Sequence, residues 1–141
     1  MTTKTIKVGI CGLGTVGQGV IALLSEGGDV LSNRVGGTIE LVHVATRTPK
    51  PEVDTLGARD SRDVFDVARD PDVHVLIELI GGTTIAKDVV VEALNHGKHV
   101  VTANKALLAD HGEELFALAE SRALHCVLRQ LSPAEFRSLK R

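Results

Sequence analysis

The sequence contains no tryptophan and no tyrosine, and its aromatics are Phe65, Phe116 and Phe136 alone. A protein that stacks bases on aromatic faces needs more than this, so a base-stacking nucleic-acid platform is disfavoured. Charge of one sign is missing too. Sixteen basic residues stand against 18 acidic ones, for a net charge of −2, which gives no pull toward nucleic acid or an anionic membrane. Cysteine is scarce: Cys11 and Cys126 each sit in an apolar, strand-like run and read as inert core thiols rather than a disulfide framework. No apolar run approaches the ~18 residues of a membrane span, and the opening "MTTKTIKVGI" has no leader-like apolar stretch. The expected setting is cytoplasmic.

What is present is an alternation of β-rich runs and helical periodicity within 141 residues, a length that suits one domain. Residues 6–11 (IKVGIC) predict a first strand. Residues 15–24 follow as a helix, with Val16, Val20, Leu23 and Leu24 at helical spacing. The polar stretch "SEGGDVLSNRVGG" predicts a loop, and residues 39–45 (IELVHVA) a second strand. A proline-marked segment then leads to Ser61, the expected cap of a short helix ending at Arg69. Residues 73–79 (VHVLIEL) predict a third strand, punctuated by Gly81 and Gly82. A helix capped by Thr83 or Thr84 should run to Asn95 and stop at Gly97. Residues 99–102 predict a fourth strand, "ADHGEELFALAESRA" a helix, and residues 124–128 a fifth strand. The reading is an α/β fold, a doubly wound parallel sheet of Rossmann type in a single domain over residues 1–128. Residues 129–141 form a tail, where Ser132-Pro133-Ala134-Glu135 is a good helix opening.

"GLGTVG" places Gly12, Gly14 and Gly17 in G-x-G-x-x-G spacing. The hexapeptide alone is weak, but here it joins a predicted strand directly to a predicted helix. Gly12 permits the tight turn, Gly14 the approach of a pyrophosphate, and Gly17 the close packing of helix on strand. The end of the second strand reads "VATRTPK", with no carboxylate for a ribose 2′-hydroxyl but with Arg47 and Lys50 for a 2′-phosphate. The expected cofactor is therefore NADP in preference to NAD.

Three stretches, "GLGTVGQGV", "VLIELIGG" and "GKHVVTANKALLADHGEELFALAE", together resemble the N-terminal NAD(P)-binding domain of homoserine dehydrogenase. The resemblance runs in order from about residue 6 to about residue 125. It implies oxidoreductase chemistry of amino-acid biosynthesis toward threonine and methionine, interconverting homoserine and aspartate 4-semialdehyde with NAD(P). It implies that Gly12, Leu13, Gly14, Thr15, Val16 and Gly17 hold the pyrophosphate. Ala45 and Arg47 would flank the adenosine ribose, and Gly81 and Gly82 the nicotinamide ribose. Lys105 would stand beside the nicotinamide and the reacting oxygen, as the catalytic cation. Such a lysine works best partly buried, with its pKa lowered.

The family's motifs stop near Cys126. Its following strand, glycine-rich loop and substrate domain have no counterpart in "CVLRQLSPAEFRSLKR". A truncation, a frame shift or a natural short protein would each read this way. The expectation is a chain that binds the dinucleotide with little or no turnover, takes homoserine or the semialdehyde only if a substrate domain is supplied, and has an apolar side open to self-association. The alternatives are a stand-alone NAD(P)-sensing module and a fragment of a related two-domain dehydrogenase. The six histidines lack zinc spacing, and no metal site or serine–histidine–acid set is expected. Asp63, Asp66, Asp70 and Asp72 read as a solvated surface cluster. Glu78 reads either as an acceptor for N–H groups of the next helix or as a nicotinamide-ribose contact.

Overall fold

The computed structural model describes residues 4–26 and 37–128. In chain order they form β1 (Lys4–Cys11), α1 (Thr15–Glu26), β2 (Gly37–Ala45), β3 (Arg59–Ser61), α2 (Val64–Arg69), β4 (Val75–Glu78), α3 (Thr84–Asn95), β5 (His99–Thr102), α4 (Lys105–Ser121) and β6 (Cys126–Leu128). The strands make a six-stranded sheet in the order β3-β2-β1-β4-β5-β6. Every pairing is parallel. The doubly wound architecture read from the sequence is thus the architecture found. The tail helix expected at Ser132 and most of the polar loop after α1 lie outside the described residues.

Alternation along the strands divides the core into two layers. Cys11, Ala45, Leu76 and Val100 point to one face with α2, α3 and α4, whose Val67, Val89, Leu94, Leu107 and Leu115 are fully buried there. Ile10, Leu41 and Val44 point to the other face, against Val20 and Ile21 of α1. Successive side chains on opposite faces are what a parallel sheet covered on both sides requires.

Three local features set how the elements meet. Between β1 and β2 the register shifts at Val8/Gly9, and Gly9 lies where α2 presses on the sheet. A Cβ there would come within 2.4 Å of Val67 Cγ1. At the end of α3, Gly97 takes φ 77°, the left-handed cap anticipated from the sequence. Thr83 precedes α3, as expected, although its side chain makes no capping hydrogen bond.

Two expectations are corrected here. Ser61 does not cap α2. It belongs to β3, a short edge strand that the sequence reading missed, and Asp63 is the cap, its carboxylate accepting the Phe65 N–H at 2.9 Å. Nor are the acidic residues all solvated: Asp70 is buried. Its Oδ2 lies 2.7 Å from His43 Nδ1 and 3.4 Å from Arg59 Nη1, and its Oδ1 accepts the Asp72 N–H at 2.9 Å. Burial alone would push this carboxyl up, but the Asp72 N–H, His43 and Arg59 outweigh it and hold the pKa below the usual value. Lys98, also buried, donates from Nζ to the Asp70 and Val73 carbonyls. Burial draws the ammonium's pKa down, with Asp70 opposing.

Candidate functional site

β1 ends in Cys11, and the chain turns at Gly12 with φ 104°. The turn is held by the Gly12 N–H donating to the Ala45 carbonyl at 2.8 Å. A Cβ on Gly12 would lie 2.7 Å from the Leu79 carbonyl oxygen, and one on Gly17 would lie 2.3 Å from the Gly12 carbonyl oxygen. These two glycines are therefore demanded by the protein's own backbone. Gly14 is different. A Cβ there would meet nothing within 4 Å, so the fold itself does not need a glycine at this exposed position. The space in front of it belongs to a cleft.

That cleft, about 690 Å³, opens at the carboxyl ends of β1, β2 and β4, where the strand order reverses direction and α/β sheets take their ligands. Gly12, Leu13 and Gly14 form its floor. Leu13 is buried and so offers its main chain only. The Gln18 N–H closes the first helical bond on the Gly14 carbonyl at 3.0 Å, which leaves the N–H groups of Thr15, Val16 and Gly17 without intrahelical acceptors. With the positive end of the helix dipole they suit an anion.

One wall is the exit of β2. Ala45 and Thr46 are buried and Arg47 is exposed at the rim. Arg62 lines the same wall, its Nη1 donating to the Thr46 carbonyl at 3.2 Å and its guanidinium paired with Asp60. Sequence reasoning did not find Arg62, because β3, which delivers it, was not recognised. The opposite wall is Gly81 and Gly82, with φ 85° and 75°, two successive left-handed residues that only glycine adopts without strain.

A hollow of about 290 Å³ adjoins the cleft at Leu79 and Gly81, and is bordered by Val16, Glu78, Asn104 and Lys105. Lys105 is the first residue of α4. It is exposed, without the partial burial that would serve a catalytic lysine best. A cation at a helix N-terminus opposes the helix dipole by roughly 0.3–1 kcal/mol, so its place is not explained by the helix. Glu78 does not accept from the next helix, as one of its two expected roles had it. It is fully buried and accepts the Ile80 N–H of the β4 exit loop, together with the Thr102 hydroxyl and the Asn104 amide. Burial pushes its pKa above the ordinary carboxylate range, against the pull of those three donors.

No group of three or more histidine, cysteine or acidic side chains suited to a metal occurs among the described residues. Burial pushes the Cys126 thiol up to about 11 and raises that of Cys11 as well, with the nearby Glu78 charge adding to it. Neither is a reactive thiolate. One constellation was not foreseen: Ser61 Oγ lies 2.6 Å from His43 Nε2, in line with His43 and Asp70. The imidazole is 1 % exposed and both its nitrogens are engaged. The three residues tie β2, β3 and the end of α2 together, apart from the cleft.

A family model described as the NAD-binding domain of homoserine dehydrogenase matches residues 12–128. The homoserine dehydrogenase of Pseudomonas aeruginosa is 48 % identical over 121 residues, covering 86 % of this chain and 28 % of that protein. That of Bacillus subtilis is 47 % identical over 119 residues, covering 83 % and 28 %. Among solved structures, a homoserine dehydrogenase from Thiobacillus denitrificans superposes with a TM-score of 0.83 at 38 % identity, over 89 % of this chain and 29 % of that one. The chain thus spans under a third of the length of these relatives.

Proposed function

Because this chain belongs to the homoserine dehydrogenase family through its NAD-binding domain, we propose that its cleft seats NADP(H), with NAD(H) as the weaker ligand, for hydride exchange between homoserine and aspartate 4-semialdehyde. The observation that carries the reading is the open face of Gly14, a glycine that the fold does not need and a diphosphate does. Arg47 and Arg62, with no carboxylate at the end of β2, suit a 2′-phosphate, while an NAD site favours Asp or Glu there.

The nicotinamide, when bound, supplies or accepts the hydride. The protein's part is electrostatic. Lys105, at the mouth of β5, places an ammonium where negative charge develops on the aldehyde oxygen, and there it stabilises that charge and exchanges the proton. Gly81 and Gly82 let the chain pass close to the ribose. Substrate orientation supplies roughly 7–11 kcal/mol of such barriers, and this chain spans under a third of the length of its relatives. The 141 residues by themselves therefore bind the dinucleotide with little turnover. The exposure of Lys105 also suits a second reading, a nucleotide-sensing module without catalysis. Among the described residues no helix is long and apolar enough to cross a membrane.

Titration with NADPH and NADH tests the cofactor. NADPH should bind more tightly, and Arg47→Ala should narrow the gap by about tenfold, the worth of one charge-assisted contact. Equal or tighter NADH binding by the unmodified chain would remove the NADP assignment. Homoserine-dependent NADP reduction measured alongside separates the two readings. Reduction that vanishes in Lys105→Ala supports catalysis, and binding without reduction supports the module.

A further inference from the structure

Asn104 stands between β5 and α4, one residue before the exposed lysine, and both polar atoms of its side chain are committed. Its Oδ1 accepts the Leu107 N–H at 3.0 Å and so caps α4. With the carbonyl used there, the amide nitrogen faces away from the helix. It donates to the Gly82 carbonyl and to Glu78 Oε1, 3.4 Å away. Glu78 is anchored in turn: the Thr102 hydroxyl donates to it at 3.3 Å, and the same hydroxyl accepts the Asn104 N–H at 3.0 Å. A single buried carboxylate thereby joins the exits of β4 and β5.

A helix cap does not require this arrangement. Asp, Ser and Asn cap about equally well, but of the three only the amide caps with one atom while donating two hydrogens from another. A carboxylate sunk in protein is costly to maintain unless its donors are held in place. Both features converge on the Gly81–Gly82 turn, which two left-handed glycines would otherwise leave loosely determined.

We propose that Asn104, oriented by Glu78, is a positioning residue for the nicotinamide half of the dinucleotide. It clamps the double-glycine turn to the first turn of α4, so that Gly81 and the Lys105 ammonium border one hollow. The inference rests on the dinucleotide reading of the cleft and deepens it. Asn104 acts through Gly82 and Lys105, so its loss is felt at one end of the ligand only.

The test uses the full 141-residue chain, with NADPH and with 2′,5′-ADP, the adenosine half of the same molecule. Should the unmodified chain prefer NADH, the pair becomes NADH and ADP. Asn104→Asp keeps a capping oxygen and loses both N–H donations. Asn104→Ser keeps the cap without adding a carboxylate beside Glu78, and stands in if the first variant fails to fold. The expected result is NADPH binding weakened by about tenfold, the worth of a hydrogen bond to a charged group, with 2′,5′-ADP binding unchanged. Unaltered NADPH binding in a folded variant would overturn the proposal. Equal weakening of NADPH and 2′,5′-ADP would overturn it too, by showing a merely structural role. Failure of the unmodified chain to bind 2′,5′-ADP would instead bring down the dinucleotide reading, and this proposal with it.

Discussion

Alanine at Gly14 and alanine at Gly17 should have opposite consequences. At Gly17 the new methyl would sit 2.3 Å from the Gly12 carbonyl oxygen, about 1 Å inside ordinary contact. Backbone cannot swing aside as a side chain can, so α1 has to shift away from β1. Overpacking of this kind costs about 1–3 kcal/mol, and for a chain of this size about 2–4 °C of Tm goes with each kcal/mol. Gly17→Ala should therefore melt several degrees lower. At Gly14 the methyl meets nothing within 4 Å, and Gly14 is not among the glycines with positive φ. Alanine in a compatible conformation restricts the unfolded chain and adds roughly 0.4–1 kcal/mol, so Gly14→Ala should melt at or slightly above the unmodified protein. Its methyl nonetheless stands where the diphosphate has to approach. We expect NADPH affinity to drop by at least about tenfold, equivalent to about 1.4 kcal/mol. Thermal melts by circular dichroism and a fluorescence titration with NADPH measure both quantities on the same samples. A Gly14→Ala protein that folds normally and binds NADPH as before would refute the placement of the diphosphate, and the functional argument built on it.

Two further outcomes follow from the packing. Asp70 has its folded-state pKa lowered, so the stability it confers is complete above its unfolded value of about 3.9 and is lost as the pH falls through the folded pKa. Asp70→Asn should therefore cost roughly 1.5–3 kcal/mol at pH 7, with the gap to the unmodified protein shrinking at pH 3 in paired urea melts. A gap that is the same at both pH values would contradict this account. Gly9→Ala pushes a methyl to 2.4 Å from Val67 Cγ1 and should destabilise by about 1–3 kcal/mol. Val67→Ala in the same chain removes the obstructing atom, so the double variant should unfold at higher urea than the two single losses summed. Strict additivity would show that the contact is not the cause.

The sequence was legible where one residue type answers to one physical demand. Periodic apolar residues reported the sheet and its helices, Gly97 reported the end of α3, and Gly12, Gly14 and Gly17 reported the crossover. It was opaque where a role is conferred by a neighbour distant in the chain. Arg59, Asp60 and Ser61 carry no apolar side chain, so nothing in their pattern marks an edge strand, and Arg62 was lost with them. Asp70 looks like its solvated neighbours until strand order sets His43 against it and Lys98 beneath it. Glu78 stood out as a carboxylate ending an apolar strand, but its burial and its partners Thr102 and Asn104, 24 and 26 residues further on, did not show. The exposure of Lys105 is likewise a property of the assembled mouth of the sheet, which local sequence does not encode.

Strand β1 is the seam of the molecule. On one side it carries β2 and β3, on the other β4, β5 and β6, and the join to β4 links positions as far apart as Val8 and Val75. The two halves of the sheet thus share a single spine, and on the proposed reading the adenosine and nicotinamide ends of a dinucleotide would lie on different halves. A ligand spanning both acts as a clasp, so its tightest hold would register as slowed amide exchange along the spine itself, far from the rim where it first lands.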